Sequence, residues 1–319
     1  MKICSIFFLL FVGLMPAPAQ DLDRLAREML FGADTSCSRQ CYQYFMSLLS
    51  DQRLETESIL TPNGVAISPE AAAGCMLEHT RTQVFVRALY QAAKSVGKED
   101  VKILYVGCGP LAPFMTLTAP LLPKARYSLV EISENAAASA GVLIRRLGLQ
   151  HQLDTLIVAD ATAMQVPGAL QYDIIITETM DAGLNGEMMI PILIHILPQL
   201  KKDVVLIPEE VTLELVCSKN TGHEAYQERR LIFTATDLLH CYFETGKFPE
   251  TEVLPPPCAN NAKSVICTTV RAFRDIYLYP EASAITRQIP IRYIPGKALH
   301  FAYSMTPPRL LVDGRWRWR

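Results

Sequence analysis

Between residues 101 and 208 the chain repeats one pattern of polarity. A short unbroken apolar run is followed each time by a stretch able to form a helix: "VKILYV" (101–106), "RYSLVEI" (126–132), "DTLIVAD" (154–160), "YDIIITE" (172–178) and "DVVLIP" (203–208). None of these runs alternates strictly, so each reads as a strand buried on both faces, and the series predicts a parallel sheet between helical layers. Upstream, "DLDRLAREMLF" (21–31) and "CYQYFMSLLSDQRLETESIL" (41–60) repeat apolar residues at three- and four-residue intervals, which predicts helix as far as the interruption at "TPNG" (61–64). Ser68, Pro69 and Glu70 form a helix start, with hydroxyl cap, proline and first-turn acid, and the helix is expected to run to Gly97. Beyond Pro208 the runs "EVTLELVCS", "SVICTTVRAF", "QIPIRYI" and "ALHFAYSM" predict strands broken by proline and glycine, with one helical piece over 224–243. The expected organisation is α/β: a helical segment over 20–99, a doubly wound core over 100–208 and a β-rich domain over 209–319.

Composition adds little to this. A hydrophobic fraction of 50% with 19% charged residues suits a packed core, and a formal net charge of −2 supplies no global field for nucleic acid. The first twenty residues change the picture more. "MKICSIFFLLFVGLMPAPAQ" has a lysine, an apolar stretch from Ile3 to Met15, a proline break and Ala17-Pro18-Ala19 before Gln20. That is the layout of a secretory signal peptide over 1–19, its apolar part too short to span a bilayer, so no stable membrane span is expected after its removal. Eight cysteines would remain, an even number that permits disulfides, but their spacing matches no zinc pattern, and the six histidines are scattered; no metal site is expected.

Candidate chemistry gathers at strand ends. "YVGCGP" stands behind the first strand, where open α/β sheets bind ligands, and Gly107 and Gly109, around Cys108, allow close backbone approach. Glu131 ends the second strand, where a carboxylate can take both hydroxyls of a ribose; Asp160 and Ala161 end the third, where a carboxylate and an amide can meet an adenine. Together these outline a nucleoside site. A dinucleotide is less well served, because the third glycine of its fingerprint would fall on Ala112.

The glycine turn followed by a second-strand acid resembles the class I S-adenosylmethionine-dependent methyltransferases, and two further stretches resemble the protein arginine methyltransferases. In "CMLEHTRTQVFVRALY", Met76, Leu77, Arg81 and Thr82 match that family's helix before the glycine turn; in "ETMDAGLNGE", Glu178 and Glu187 stand nine positions apart, as in its double-glutamate loop. The resemblance covers 68–208 and implies a Rossmann-like seven-stranded core, S-adenosylmethionine as cofactor, Arg81 on the cofactor's methionine carboxylate, and Glu178 and Glu187 as the catalytic pair. Tyr105 departs from the family's acid at the start of the glycine motif, and Thr286-Arg287-Gln288 departs from its Thr-His-Trp loop.

Two carboxylates suit a guanidinium physically. Its planar fork of N–H donors can be held by paired charge-assisted bonds, which fixes one nitrogen for in-line attack and keeps positive charge off it. The implied acceptors are a protein arginine or a small guanidine or amine; a homodimer is possible in such a family, and nucleic acid is not an expected partner. An exported, catalytically silent binding module on the same fold is the rival from another class. Cofactor and acceptor groups lie at different strand ends, so mutation is expected to separate them.

Overall fold

The computed structural model describes residues 17–218, 228–258, 263–292 and 296–314. The apolar part of the expected signal peptide and the 315–319 tail, with Trp316 and Trp318, lie outside them. Helices α1 (Ala17–Phe31) and α2 (Cys37–Leu48) pack their apolar stripes, including Leu25, Met29, Cys41 and Phe45, into the main core. α2 is the end of the helical pattern there, not "TPNG": residues 49–58 leave the helix, and Asn135 meets their backbone from the side, accepting from Glu55 N–H and donating to Arg53 C=O. "TPNG" then turns a two-stranded hairpin, β1 (Ile59–Thr61) and β2 (Gly64–Ala66).

Ser68 caps α3 (Pro69–Gly74), its hydroxyl accepting from Ala71 N–H, but the helix does not continue to Gly97. A 3₁₀ turn at Cys75–Leu77 and a non-helical Glu78 separate it from α4 (His79–Ser95). The break has a cause in Glu78, whose carboxylate is engaged both by Arg81 and by the backbone and hydroxyl of a distant loop at Ser283 and Ala284. α4 buries Arg81, Thr82, Phe85, Val86, Leu89 and Ala93 on one side.

All five predicted buried runs are strands of one parallel sheet. β3 (Lys102–Val106) leads through the four-residue α5 (Pro113–Thr116) to β4 (Arg126–Glu131), then α6 (Glu134–Arg146), β5 (Leu153–Val158) and β6 (Ile174–Thr177); α7 (Met189–Ile196) leads to β7 (Val205–Ile207). Their order is β5-β4-β3-β6-β7, so the chain reverses its direction of growth beside β3. The sheet has five strands rather than the seven implied by the resemblance, because the next strand, β8 (Glu210–Ser218), leaves it and pairs antiparallel with the C-terminal region.

There β9 (Arg229–Thr234) precedes α8 (Ala235–Thr245), which starts at a capping box between Thr234 and Asp237. The helix therefore lies later than 224–243: residues 219–227 are outside the description, and "RRLIFT" carries the aromatic and β-branched side chains that pack well in a strand. β10 (Glu250–Val253), β11 (Lys263–Phe273), β12 (Ile276–Leu278), β13 (Ile289–Pro290), β14 (Leu299–Met305) and β15 (Pro308–Val312) complete two antiparallel sheets, β12-β11-β8-β9 with β13 beside β11, and β10-β14-β15. Cys217 and Cys258 form a disulfide. Among the described residues no helix is long and apolar enough to cross a membrane.

Ser68 caps α3 through Ala71 N–H, so Ser68→Ala should cost about 1 kcal/mol of unfolding free energy. Urea unfolding followed by circular dichroism measures it, and an unchanged midpoint would show that the hydroxyl is not a working cap.

Candidate active site

At the carboxyl ends of β3, β4 and β6 the structure forms one pocket, whose wall includes Gly107, Cys108, Gly109, Glu131, Ala161, Arg81, Glu178 and Glu187. Register explains the gathering. Val106 pairs with Val130 on one side and Thr177 on the other, which sets the turn after β3 between Glu131 and Glu178.

The turn itself requires glycine at two places. Gly107 has φ +72°, and a Cβ there would stand 2.3 Å from Thr179 Cγ2; Gly109 has φ +62°. Gly107 N–H donates to Val130 C=O at 2.8 Å, and Gly109 N–H donates to Glu131 Oε2 at 2.8 Å. Tyr105, in place of an acid, folds beneath this turn: its hydroxyl donates to Cys108 C=O at 3.3 Å and its ring packs 5.0 Å from that of Phe114. Burial pushes both the Tyr105 and Cys108 pKa values well up, so neither supplies charge.

Glu131 is nearly enclosed, and burial raises its pKa while N–H donation from Ser133 and Gly109 acts against that rise. Ser133 N–H bonds Oε1 at 3.0 Å. Each carboxylate oxygen thus accepts one backbone donor, and a carboxylate has about four acceptor directions. The residual capacity, one direction per oxygen, fits a pair of neighbouring hydroxyls, and the bare glycine turn beside it fits a nucleoside. Ala161 lies in the wall, but the Asp160 carboxylate is turned onto its own chain: Oδ1 accepts from Thr162 N–H at 2.8 Å and from Thr162 Oγ1 at 2.7 Å. Asp160 therefore shapes the turn, as a capping carboxylate does.

The acidic end is organised around one ion pair. Arg81 Nε donates to Glu178 Oε2 at 2.9 Å and Nη2 bonds the same oxygen, while Nη1 reaches Glu78 Oε1 at 3.3 Å; the Arg81 and Glu178 side chains are each only 8% exposed. Burial works against the Arg81 charge, but Glu178 overrides it and holds the pKa above its ordinary value. For Glu178 burial prevails and the pKa is raised. Its second oxygen, Oε1, is buried and has no hydrogen-bond partner among the described residues. Glu187 has no hydrogen bond or ion pair among the described residues, and burial followed by the charge of Glu178 pushes its pKa up to about 8. Two carboxylates thus stand together with only one of their four oxygens engaged.

This arrangement corrects the expectation that the two ends are separable. Arg81, assigned to the cofactor, and Glu178, assigned to the acceptor, are one unit, so altering Glu178 disturbs both. Glu187 is tied to that unit by charge alone, with no hydrogen bond to either member among the described residues.

The C-terminal sheets hold the acidic loop in place. Thr268 Oγ1 accepts from Gly183 N–H, Tyr303 Oη donates to Leu184 C=O, and Leu310 N–H donates to Asn185 Oδ1. A helical turn at Ala284–Thr286 closes the side, through Ser283 and Ala284 on Glu78 and through Arg287 Nη2 on Asp181 Oδ2 at 2.6 Å. Thr179 and the hairpin residues Val65 and Ala66 also line the pocket, and Ser283 braces it through Glu78, whose spacing from Arg81 suggests only a surface ion pair in the sequence. The "TPNG" turn is the local signal near the hairpin residues, and it does not point to a ligand by itself.

No protein-family model and no curated protein matches the chain. Among solved structures it is similar to a chain of the Trypanosoma brucei PRMT1 enzyme–prozyme heterotetrameric complex with AdoHcy, at 14% identity, over 72% of this chain and 86% of that one, with a TM-score of 0.53. The two share their fold: a parallel sheet between helices followed by antiparallel β-structure.

Removing one member of a buried ion pair leaves the other charge uncompensated, so Arg81→Ala should destabilise the protein by roughly 3–5 kcal/mol, and Arg81→Leu combined with Glu178→Leu should recover most of that loss. Urea titrations of the three proteins test this; a single variant as stable as the parent contradicts it. Glu187 gives a pH signature of known sign. Its folded pKa, about 8, lies above the ordinary carboxylate value of 4.5, so its contribution to stability is present below the latter and is lost as pH rises through the former. Glu187→Gln should therefore gain stability relative to the parent between about pH 5 and pH 8.5. Parallel stability curves would place the Glu187 carboxyl in water.

Proposed function

We propose that the chain is an S-adenosylmethionine-dependent N-methyltransferase whose acceptor is a guanidinium group. The observation that carries this reading is the orphaned, buried Oε1 of Glu178 beside an unpaired Glu187. Unpaired buried carboxylate oxygens are costly, and a cation with several donors relieves that cost. Arg81 occupies one oxygen only, which leaves the site with acceptor capacity for a cationic ligand.

When bound, S-adenosylmethionine supplies a methyl group on a positively charged sulfur. The residues suited to hold it are Gly107, Cys108 and Gly109 along the turn, Glu131 at the ribose hydroxyls, Ala161 at the base, and Arg81 toward the methionine carboxylate. Glu178 and Glu187 are placed to accept N–H bonds from a guanidinium, fix its plane, and favour the cationic methylated product. The helical, apolar surroundings that raise the pKa of both acids also keep water from competing for those bonds.

A second reading, a small guanidine or amine as acceptor, is favoured by Arg287. Its guanidinium bonds Asp181 midway along the acidic loop and so sets a cation beside the acceptor carboxylates, which opposes an arginine-rich peptide.

The decisive experiment measures labelled methyl transfer to arginine peptides and small guanidines, with cofactor binding followed by calorimetry. Glu187→Gln should keep cofactor affinity while transfer falls roughly a hundredfold, the scale of a lost positioned charge. Glu178→Gln should lose transfer and also tighten cofactor binding, because it releases Arg81 donors for the cofactor's carboxylate. Glu131→Ala should weaken cofactor binding about tenfold or more. A parent protein that binds cofactor but methylates nothing in the panel would favour the silent binding module; full transfer by Glu187→Gln would end the double-glutamate assignment.

Capture of a cationic acceptor requires ionised Glu187, so kcat/KM for the acceptor should climb with pH, reach half its plateau near the Glu187 pKa of about 8 and level off above it. The Glu187→Gln profile should lack that climb. A parent profile flat across about pH 6 to 9 would show that Glu187 does not gate acceptor capture.

A further inference from the structure

The hairpin β1–β2 takes no part in the chemistry above, yet it touches the loops at both ends of the pocket. Asn63 Nδ2 donates to Thr162 Oγ1 at 2.8 Å, and that hydroxyl donates in turn to Asp160 Oδ1 at 2.7 Å. Two residues later, Val65 N–H donates to Gly186 C=O at 2.8 Å, directly before Glu187. Gly64 makes this second contact possible. Its φ is +130°, and a Cβ there would stand 2.8 Å from Gly186 O and 2.8 Å from Met188 Cγ. Between these ties the hairpin turns Val65 and Ala66 into the pocket wall.

An isolated two-stranded hairpin is marginal in water, so its position here depends on what it is fastened to. Leu60 is 79% exposed, so burial on that side does little to seat it. The fastenings are polar and directional, and they run to two segments that share no hydrogen bond with each other among those above. A displacement at one end is therefore transmitted to the other through the hairpin.

We propose that the hairpin is the positioning element of the pocket: Asn63 fixes the Asp160–Thr162 turn at the base end, and Gly64 with Val65 fixes Gly186 and hence Glu187 at the acceptor end. This rests on the methyltransferase reading, which supplies the two ligands. Asn63 and Gly64 act through other residues and touch neither reacting atom.

The two ends predict different losses. Asn63→Asp keeps the shape but removes the donor facing Thr162, whose own hydrogen is committed to Asp160. Calorimetric affinity for S-adenosylhomocysteine should fall about tenfold, with acceptor KM at saturating cofactor changed less than about twofold. Gly64→Ala drives a methyl group against the Gly186 carbonyl; kcat should fall by about tenfold or more, with cofactor affinity held within about threefold. Thermal midpoints establish that each variant is folded. A measurement on the unmutated chain accompanies them: hydrogen exchange at the amides of Asn63 to Val65 should slow when S-adenosylhomocysteine is added. Parent-like affinity in Asn63→Asp, parent-like kcat in Gly64→Ala, or exchange unmoved by the ligand each overturns the assignment while leaving the enzyme reading intact. A parent chain that binds no cofactor overturns the enzyme reading and this one with it.

Discussion

The Arg81–Glu178 pair is the constraint around which the site is built. Two charges removed from water on opposed elements, α4 and the end of β6, are tolerable only with close geometry and further partners. Arg81 obtains them: Glu178 Oε2 takes two of its donors and Glu78 a third. Glu178 does not, because all of the donation falls on one oxygen and Oε1 stays bare. That imbalance distinguishes the pair from an ordinary structural ion pair, which would be bidentate and closed. Here three donors of the arginine are engaged and the carboxylate is left with one bare oxygen, in the same pocket wall as a second carboxylate.

From this follow the positions of other parts. Glu78 has to leave the helix for its carboxylate to reach both Arg81 and the Ser283–Ala284 turn, and so the helix expected from 68 to 97 is divided. The C-terminal sheets contribute to the site without lining most of it. They supply Thr268, Tyr303 and Leu310 as hydrogen-bonding partners for a loop whose own regular structure is a single 3₁₀ turn at Ala182–Leu184. A loop carrying two raised-pKa acids would otherwise gain by swinging them into water, so the rigidity that the β-rich region provides is a condition of their chemistry.

How far this was legible differs by the range of the interaction involved. The inner strands β3, β4 and β6 leave continuous apolar runs because both of their faces are buried, whereas the edge strands β5 and β7 carry similar runs yet stay partly exposed, so such a run, a local signal, marks a strand without marking its depth in the sheet. The Gly107–Gly109 turn and the Ser68 cap are likewise local: a positive φ and an N-cap hydroxyl are properties of one or two positions. The helix breaks were not legible. Glu78 departs from helical geometry because of residues more than two hundred positions away, and no window of sequence contains both. Asp160 shows the same limit from the other side. Its place at a strand end suggests a ligand contact, and Thr162, two residues on, engages one of its two oxygens locally, as a short acidic side chain so often does with its own backbone.

The coupling of the two halves was hidden for a further reason. Read along the chain, Arg81 belongs to a helix and Glu178 to a loop ninety-seven residues later, and the two look like independent tools. Folded, the guanidinium that would meet the cofactor's carboxylate is also the counter-ion of the acid that would meet the acceptor. If a ligand carboxylate draws on Arg81 donors, it weakens their hold on Glu178 Oε2, and the charge on Glu178 becomes more available to a second cation. Occupation of one end thereby strengthens the demand at the other, without any large movement of the fold, because the same few donors are shared between an anion that stays and an anion that arrives.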